Sequence, residues 1–122
     1  MTSLSIDILP LRSEIWLVNL NPTIGSEIRK TRPVVVISVD SIGKLPLKLI
    51  APVTDWKPHF ELNPWQVRVE PDDNNGLTKT SAIDALQLRG VDLQRFVRKL
   101  GILPAEIMRE INLAIALIVD FD

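Results

Sequence analysis

Cysteine is absent from these 122 residues, and histidine occurs once, as His59. Without cysteine the chain can form no disulfide, no thiolate nucleophile and no Cys-ligated zinc site, and a reducing cytosol is the expected compartment. A single histidine also excludes, within one subunit, the pair of imidazoles that serve as general base and general acid in some ribonucleases. Catalysis by such a pair is therefore not expected.

Long apolar runs are missing as well. The longest, Leu113–Val119, is far shorter than the roughly 20 residues that a membrane-spanning helix needs. The segment Met1–Leu11 contains Asp7 and Pro10 and has no basic start, unlike a secretory signal peptide. We therefore expect a soluble, cytoplasmic protein with no membrane partner.

Neither sign of charge dominates, because 14 Lys and Arg stand against 15 Asp and Glu. The basic residues collect in the middle of the chain, where Arg29–Lys99 holds 12 of them against 8 acidic residues. A balanced net charge argues against indiscriminate coating of nucleic acid, whereas a locally basic segment can present one face to phosphates. The middle of the chain is therefore where a phosphate-binding face is expected.

Motifs for metals and nucleotides are also absent from the sequence. His, Asp and Glu do not recur at the spacing of metal ligands, and the adjacent Asp72 and Asp73 belong to an Asp-Asp-Asn-Asn-Gly turn signal. The sequence has no Walker-type lysine loop, no Rossmann glycine pattern and no nucleophile elbow. Metal-dependent hydrolysis is therefore disfavoured, and we expect no metal and no cofactor.

Apolar alternation and turn signals predict a single domain of strands followed by helices. Asp92 is expected to cap a short helix over Leu93–Val97, and Pro104 to begin a longer helix through about Val119. Strands first and helices after favour a mainly β or α+β fold, an antiparallel, barrel-like sheet with a C-terminal helix. The predicted strands are Glu14–Leu20, Pro33–Val39, Leu47–Val53, Trp65–Glu70 and Ser81–Val91.

The composition of two elements predicts where they pack. The segment from Pro33 to Val39 is β-branched almost throughout, which is typical of a central strand buried on both faces. In the last helix the spacing of Ile107, Ile111, Ile115 and Ile118 aligns them on one stripe. We expect that stripe to pack onto the sheet.

The tripeptide Thr31-Arg32-Pro33 carries the most chemical information. Pro33 restricts Arg32 to an extended conformation, so the guanidinium leaves the end of a rigid strand, where its planar fork suits a phosphate. Thr54 closes the third predicted strand, which in an antiparallel sheet lies beside the start of the second, and its hydroxyl can donate to a phosphoryl oxygen. Taken alone, such a tripeptide is more often a solvated arginine at a strand edge, and a threonine such as Thr54 is more often a turn residue.

Aromatic and basic residues follow Thr54. Trp56 offers a face on which a base could stack, or one that packs on the sheet. His59, near Lys57 and Phe60, fits either a base-stacking residue or an ordinary exposed loop. These residues favour single-stranded nucleic acid as a ligand without requiring it.

In order along the chain, several segments together resemble the MazF/PemK-type toxins of bacterial toxin-antitoxin pairs. The similarity covers about residues 13–119, which defines a single toxin domain over residues 13–122 and an N-terminal extension over residues 1–12. The segments are Glu14-Ile-Trp-Leu-Val-Asn-Leu-Asn-Pro-Thr-Ile-Gly-Ser-Glu27, Lys30-Thr-Arg-Pro-Val-Val-Val-Ile-Ser38, Pro52-Val-Thr54, Gly76-Leu-Thr-Lys-Thr-Ser81, and Asp84 with Gln87, Arg89 and Asp92.

The resemblance implies a five-stranded, SH3-like sheet with a C-terminal helix, dimerised so that RNA lies in a groove across the subunit interface. It also implies an endoribonuclease, an mRNA interferase that cuts single-stranded RNA by attack of the ribose 2′-hydroxyl, leaving a 2′,3′-cyclic phosphate and a 5′-hydroxyl. Its catalytic arginine and threonine correspond here to Arg32 and Thr54, and Glu27 is a candidate base. The substrate-binding residues expected are Arg29, Lys30, Thr31, Trp56, Lys57, His59, Lys79, Ser81, Asp84 and Gln87.

One position departs from the pattern, because Asp55 follows Thr54 where many relatives have a second hydroxyl residue. A carboxylate there would repel phosphate and lower the activity or alter the sequence preference. The expected partners are single-stranded RNA, a second copy of the chain and a small acidic antitoxin that covers the basic groove. Two alternatives remain, a non-catalytic toxin of the same fold that binds a topoisomerase, and a module that binds RNA or a peptide.

Overall fold

The computed structural model describes residues 9–20, 31–42 and 45–121. Within these ranges the strands form one antiparallel, open sheet in the order β4-β5-β3-β2-β1-β7, with β6 beside β3. The prediction of a mainly β, antiparallel fold with a C-terminal helix is confirmed. The sheet has seven strands in these ranges, whereas five were expected. The elements are β1 (Glu14–Asn19), β2 (Thr31–Val36), β3 (Leu47–Asp55), β4 (Gln66–Val69), β5 (Ser81–Asp84), β6 (Arg89–Asp92), β7 (Phe96–Ile102) and the helix α1 (Ala105–Ile118).

The long strand β3 joins two parts of the sheet. Its first half pairs with β6, from Leu47 opposite Asp92 to Ile50 opposite Arg89. Its last residues pair instead with β5, where Asp55 lies opposite Ser81. On its other edge β3 pairs with β2. The end of β3 therefore lies between β2 and β5, and this junction positions the candidate site.

Two apolar clusters occupy the two faces of the sheet. Trp16, Val34, Ile50 and Val91 belong to one cluster, against which Phe96 packs. The other face carries the larger cluster, in which residues such as Ile15, Val35 and Ala51 pack with the helix. Since successive strand residues point to opposite faces, β1 and β2 supply both clusters. The prediction that the second strand is buried on both faces is confirmed.

The C-terminal helix lies on the larger cluster through the predicted stripe. Ile111 is fully buried, and Ile107, Ile115 and Ile118 pack against the same cluster. Pro104 was predicted as the first helical residue, but it is the N-cap, and the helix begins one residue later, at Ala105. No helix in residues 9–20, 31–42 and 45–121 is long and apolar enough to cross a membrane.

The predicted fifth strand over residues 81–91 is two strands, β5 and β6, separated by a 3₁₀ helix over Ala85–Gln87. Asp84 causes the interruption, because its carboxylate accepts a hydrogen bond from the Leu86 amide at 3.0 Å. A side chain that bonds the backbone two residues ahead competes with the strand ladder and favours a turn. The ladder is therefore interrupted between β5 and β6, and the two strands pair with opposite ends of β3.

The predicted helix over Leu93–Val97 is wrong. Asp92 does accept a hydrogen bond from the Gln94 amide at 2.8 Å, but the cap begins only a 3₁₀ helix over Leu93–Arg95. Phe96 then starts β7, which pairs with the free edge of β1. The ring of Phe96 meets Trp16 edge to face at 5.8 Å between ring centroids. Pairing and packing with β1 outweigh the local helical signal.

The residues immediately before β1 are held against the domain. Pro10 is fully buried. The Arg12 amide donates to Asp40 Oδ1 at 2.7 Å, and its guanidinium donates to the Ile37 carbonyl and to Asn112 Oδ1. These contacts connect the start of the sheet to α1. The boundary between extension and domain at residues 12 and 13 stays a prediction.

Candidate active site

Arg32 is the second residue of β2 and lies opposite Val18 of β1. The strand begins at Thr31, two residues before the predicted start, because Thr31 and Arg32 still pair with β1. Both residues are exposed, whereas Val34 is fully buried. The guanidinium is therefore carried by the outer end of a strand whose inner part is locked in the core.

Thr54 lies at the corresponding end of β3. The register between β2 and β3 runs from Val36 opposite Ile50 to Val34 opposite Pro52. Continued by two residues along each strand, this register places Arg32 opposite Thr54. Directly opposed residues of an antiparallel pair point to the same face, with Cβ atoms about 5 Å apart. The structure therefore brings together the two residues that the sequence singled out.

Both side chains line one open cavity of about 450 Å³, named here the arginine cavity. Its charged groups are two cations and one carboxylate, and its remaining walls are apolar or carry the Thr54 hydroxyl. The lining residues are Arg32, Pro33, Val53, Thr54, Asp55, Lys57 and Phe60.

A smaller cavity of about 170 Å³, named here the lysine cavity, adjoins the first. The two cavities share Pro33, Val53, Thr54 and Asp55, so the end of β3 forms the partition between them. The lysine cavity is completed by Gly76, Leu77, Thr78, Lys79, Ser81 and Leu100.

Asp55 and Lys79 face each other across the mouth of the lysine cavity. Asp55 Oδ2 lies 3.7 Å from Lys79 Nζ, and the two side chains are 56% and 71% exposed. An exposed pair of this kind contributes at most about 1 kcal/mol to stability. Its effect on the site is larger, because the ammonium offsets the negative charge that the sequence placed beside Thr54.

The segment that carries Lys79 is held by the buried side chain of Asn75. Asn75 Oδ1 accepts from the Leu77 amide at 2.9 Å, and Nδ2 donates to the Glu70 carbonyl at 2.9 Å. Gly76 follows with φ of +72°, and a Cβ there would lie 2.2 Å from the Leu100 carbonyl oxygen. Only glycine permits this approach to β7, so the wall of the lysine cavity depends on Gly76.

Ser81 has a related structural contact. It is buried, and its hydroxyl donates to the Lys79 carbonyl at 2.9 Å. The predicted substrate residues Lys79 and Ser81 both line the lysine cavity. Lys79 presents its ammonium to solvent beside Asp55, whereas Ser81 holds the backbone that carries Lys79.

Aromatic residues cluster on the other side of the arginine cavity. Trp56 and Phe60 meet edge to face at 5.7 Å, and His59 meets Phe60 at 4.8 Å. The Arg68 guanidinium carbon lies 5.2 Å from the centroid of the Trp56 ring. The half-buried indole is therefore already covered by other side chains. Of the predicted residues Trp56, Lys57 and His59, only Lys57 lines the arginine cavity.

Glu70 connects Arg68 to the end of β3. The Glu70 carboxylate accepts a hydrogen bond from the Thr80 hydroxyl at 2.6 Å and another from Arg68 Nε at 2.9 Å. The Trp56 amide in turn donates to the Thr80 carbonyl. The hydrogen bond from Thr80 lowers the pKa of Glu70, desolvation opposes this, and Arg68 lowers the pKa further, so that it lies below its ordinary value. The ionised carboxylate thus keeps Arg68 over the indole of Trp56.

Asp84 and Gln87 line neither cavity. The Asp84 carboxylate is buried and accepts from the Leu86 amide, from Gln87 Nε2 at 2.8 Å and from Gln66 Nε2 at 3.3 Å. The structure therefore uses both predicted substrate residues to build the turn after β5, and their role in binding substrate stays a prediction. Thr31 is exposed beside Arg32, opposite Asn19. Glu27, Arg29 and Lys30 lie outside the described residues.

Sequence reasoning did not select Phe60, Thr78 or Leu100, although each lines a cavity. Phe60 and Thr78 stood beside selected residues, so proximity in sequence was a usable signal. Leu100 had none, because it belongs to a strand that was not predicted.

Chemically, the arginine cavity is suited to a phosphodiester. The Arg32 fork can bind two oxygens, Lys57 adds a point charge, and Thr54 adds a neutral donor. Within residues 9–20, 31–42 and 45–121, no three His, Asp or Glu side chains group together as ligands for a metal ion.

Solved structures share this fold. An endoribonuclease in complex with its cognate antitoxin from mycobacterial species superposes with a TM-score of 0.75, at 18% identity, over 93% of this chain and 98% of that one. A MazE-MazF structure from Deinococcus radiodurans gives 0.73 at 22% identity over 93% and 98% of the two chains. The fold of the chain is therefore that of the MazF-type toxins.

Sequence similarity then defines the family. A family model described as PemK-like, MazF-like toxin of type II toxin-antitoxin system matches residues 11–119. Endoribonuclease PemK of Escherichia coli is 31% identical over 102 residues, 82% of this chain and 74% of that protein. Endoribonuclease MazF of Staphylococcus saprophyticus is 34% identical over 105 residues, 85% of this chain and 86% of that protein. The chain belongs to the PemK-like, MazF-like family of type II toxins.

Proposed function

We propose that this protein is an endoribonuclease toxin that cuts single-stranded RNA at the arginine cavity. The observation that carries the proposal is that Arg32 and Thr54, at neighbouring ends of β2 and β3, line one open cavity together with Lys57. The relatives that span most of the chain bear the name endoribonuclease. Membership of a toxin family and a site built for a phosphodiester support the same activity.

The proposed reaction is attack of the ribose 2′-oxygen on the adjacent phosphorus. The bond from phosphorus to the 5′-oxygen breaks, which leaves a 2′,3′-cyclic phosphate on one fragment and a 5′-hydroxyl on the other. Negative charge grows on the non-bridging oxygens as the bond forms. Arg32 binds those oxygens more strongly in the transition state than in the substrate, and this difference accelerates the reaction.

Thr54 and Lys57 have supporting roles. The Thr54 hydroxyl donates to the same phosphate or orients the 2′-hydroxyl, and Lys57 adds charge at the wall of the arginine cavity. A guanidinium is a poor base at neutral pH, so the proton of the 2′-hydroxyl needs another acceptor. Glu27 remains the proposed base from sequence.

The proposed assembly is a homodimer in the cytoplasm, restrained by a small acidic antitoxin. Members of a type II toxin family act with a partner protein, and the two similar structures contain a cognate antitoxin or MazE. The cations around the cavities, Arg32, Lys57 and Lys79, provide the charge that an acidic segment would cover.

The test is cleavage of one defined single-stranded transcript by purified protein in EDTA, with the new ends mapped. We expect discrete cuts that carry 5′-hydroxyl ends. Arg32→Ala should lower kcat/KM about 100-fold or more, because it removes a donor to the transition-state charge. Arg98→Ala, which removes an exposed arginine of β7 outside both cavities, is the matched control. Absence of cuts would favour a binding protein instead, and cuts that survive Arg32→Ala would overturn cleavage at the arginine cavity.

A further inference from the structure

The lysine cavity has the size and lining of a pocket for one nucleobase. Its volume of about 170 Å³ is well below the roughly 300–1,000 Å³ of pockets for drug-sized ligands. Pro33, Leu77 and Leu100 supply apolar walls, against which the face of a flat ring can pack. Its polar lining residues include an ion pair between Asp55 and Lys79, beside Thr54, Thr78 and Ser81.

The cavity is also adjacent to the proposed reaction. Thr54 and Asp55 are consecutive residues that line both cavities, so a base in the lysine cavity lies next to a phosphate held by Arg32 and Thr54. The base would therefore belong to a nucleotide that flanks the scissile bond.

The Asp55 and Lys79 pair presents an acceptor beside a donor, with 3.7 Å between Oδ2 and Nζ. An ionised aspartate only accepts hydrogen bonds, and lysine only donates them. Guanine exposes on its Watson–Crick edge two adjacent donors, N1–H and N2–H₂, next to the acceptor O6. Adenine, cytosine and uracil each offer only one donor group on that edge, so a carboxylate binds them through one contact rather than two.

From this match we propose that the lysine cavity selects a guanine base beside the cleaved phosphodiester, with Asp55 accepting from N1–H and N2–H₂ and Lys79 donating to O6. The proposal rests on the proposed RNA cleavage and adds its sequence preference. Because the exposed ion pair is weak, the edge of a base can replace its contact at small cost. Asp55, the position that departs from the family pattern, thereby becomes the residue that determines specificity.

The first part of the test determines the sequence preference of the wild-type protein. Sequencing of the 5′-hydroxyl ends from a long single-stranded transcript should show guanine at one position flanking the cut. Short RNAs that carry guanine, adenine, cytosine, uracil or inosine at that position then give kcat/KM for each base. We expect guanine to exceed the other natural bases about 10-fold or more, since bidentate contacts discriminate to that degree.

Inosine isolates the carboxylate contact, because it lacks only the N2 amine of guanine. Wild type should prefer guanine over inosine, whereas Asp55→Asn should treat the two alike, because its amide offers one acceptor and no second one. The loss should appear mainly in KM, and the ratio of kcat/KM for the guanine substrate to that for the inosine substrate should fall to about 1. Glu106→Gln, which removes an exposed carboxylate in the first turn of α1, is the matched charge control.

The outcomes separate this inference from the proposed function. Cleavage without a guanine preference, or an Asp55→Asn variant that still distinguishes guanine from inosine, overturns the inference and leaves the nuclease intact. Failure of wild type to cut any RNA overturns the proposed function. In that case, fluorescence anisotropy with oligonucleotides carrying guanine or inosine still decides the inference: tighter binding of guanine that Asp55→Asn abolishes supports it, and equal binding overturns it.

Discussion

Glu14, the first residue of β1, forms an ion pair with Lys99 of β7, with 3.0 Å between Oε2 and Nζ. The other oxygen of the same carboxylate accepts from the Trp16 indole and from the Leu11 amide, each at 2.9 Å. One buried carboxylate thus joins β1, the edge strand β7 and the segment before β1. Its contacts explain how β7, a strand with exposed charges, is held on the sheet.

Glu14→Ala is predicted to lower the free energy of unfolding by about 3 kcal/mol. The substitution leaves the Leu11 amide and the Trp16 indole without their acceptor, and Lys99 without its partner. Urea denaturation measures the loss. Glu106→Ala, on the exposed side of α1, is the control and should change stability by less than about 0.5 kcal/mol. An equal effect of both substitutions would contradict a special role for Glu14.

The pH dependence of stability should also report on Glu14. Burial raises the pKa of Glu14, but the hydrogen bonds from Leu11, Trp16 and Lys99 outweigh this and leave the pKa below its ordinary value. A depressed pKa in the folded state means that the contribution is complete above the unfolded pKa of about 4.3 and is lost as pH falls through the lower folded value. We expect the stability difference between wild type and Glu14→Gln to be constant near neutral pH and to shrink below about pH 4. A difference that grows on acidification would contradict the assignment.

Arg32→Lys should retain the charge at the arginine cavity but not the planar fork. We expect kcat/KM for RNA to fall about 10-fold or more, with less effect on binding of an uncleavable 2′-deoxy analogue. Cleavage kinetics and fluorescence anisotropy measure the two effects. If the lysine variant cleaved as fast as wild type, Arg32 would act only as a point charge.

Gly76→Ala is predicted to destabilise the fold by about 2–4 kcal/mol. The added methyl group would meet the Leu100 carbonyl oxygen at 2.2 Å, and the φ of +72° is strained for alanine. Gly90→Ala is a matched control, since a Cβ at Gly90 meets no atom within 4 Å. Thermal denaturation should therefore give a clearly lower midpoint for Gly76→Ala than for Gly90→Ala. Similar midpoints would show that the turn at Gly76 can relax.

Asp84→Ala distinguishes a structural role from the substrate-binding role predicted by resemblance. The buried carboxylate caps the turn after β5, so we expect a loss of about 1–3 kcal/mol in the free energy of unfolding. The kcat/KM of the folded variant should stay within about 3-fold of wild type. A large fall in kcat/KM with unchanged stability would instead place Asp84 at the substrate.

Much of the sheet could be predicted from local sequence patterns. The β-branched segment of β2 and the isoleucine stripe of α1 are both buried in the core. Each can be recognised from the spacing of apolar residues within one short segment. Arg32 and Thr54 could also be selected from the sequence, because Pro33 favours an extended Arg32 and Thr54 ends a recognisable strand. Resemblance to a family added the order of these segments, which no single segment contains.

The sequence by itself determined which segments are apolar on one face or two, where α1 begins and ends to within one residue, and which arginine and threonine stand at strand ends. Only the tertiary structure decided that Phe96–Ile102 is a strand, that residues 81–91 are two strands, and that Asp55 meets Lys79. The physical reason is range. Periodicity and capping act over a few neighbouring residues, whereas an edge strand and an ion pair across a cavity depend on partners brought together by the sheet.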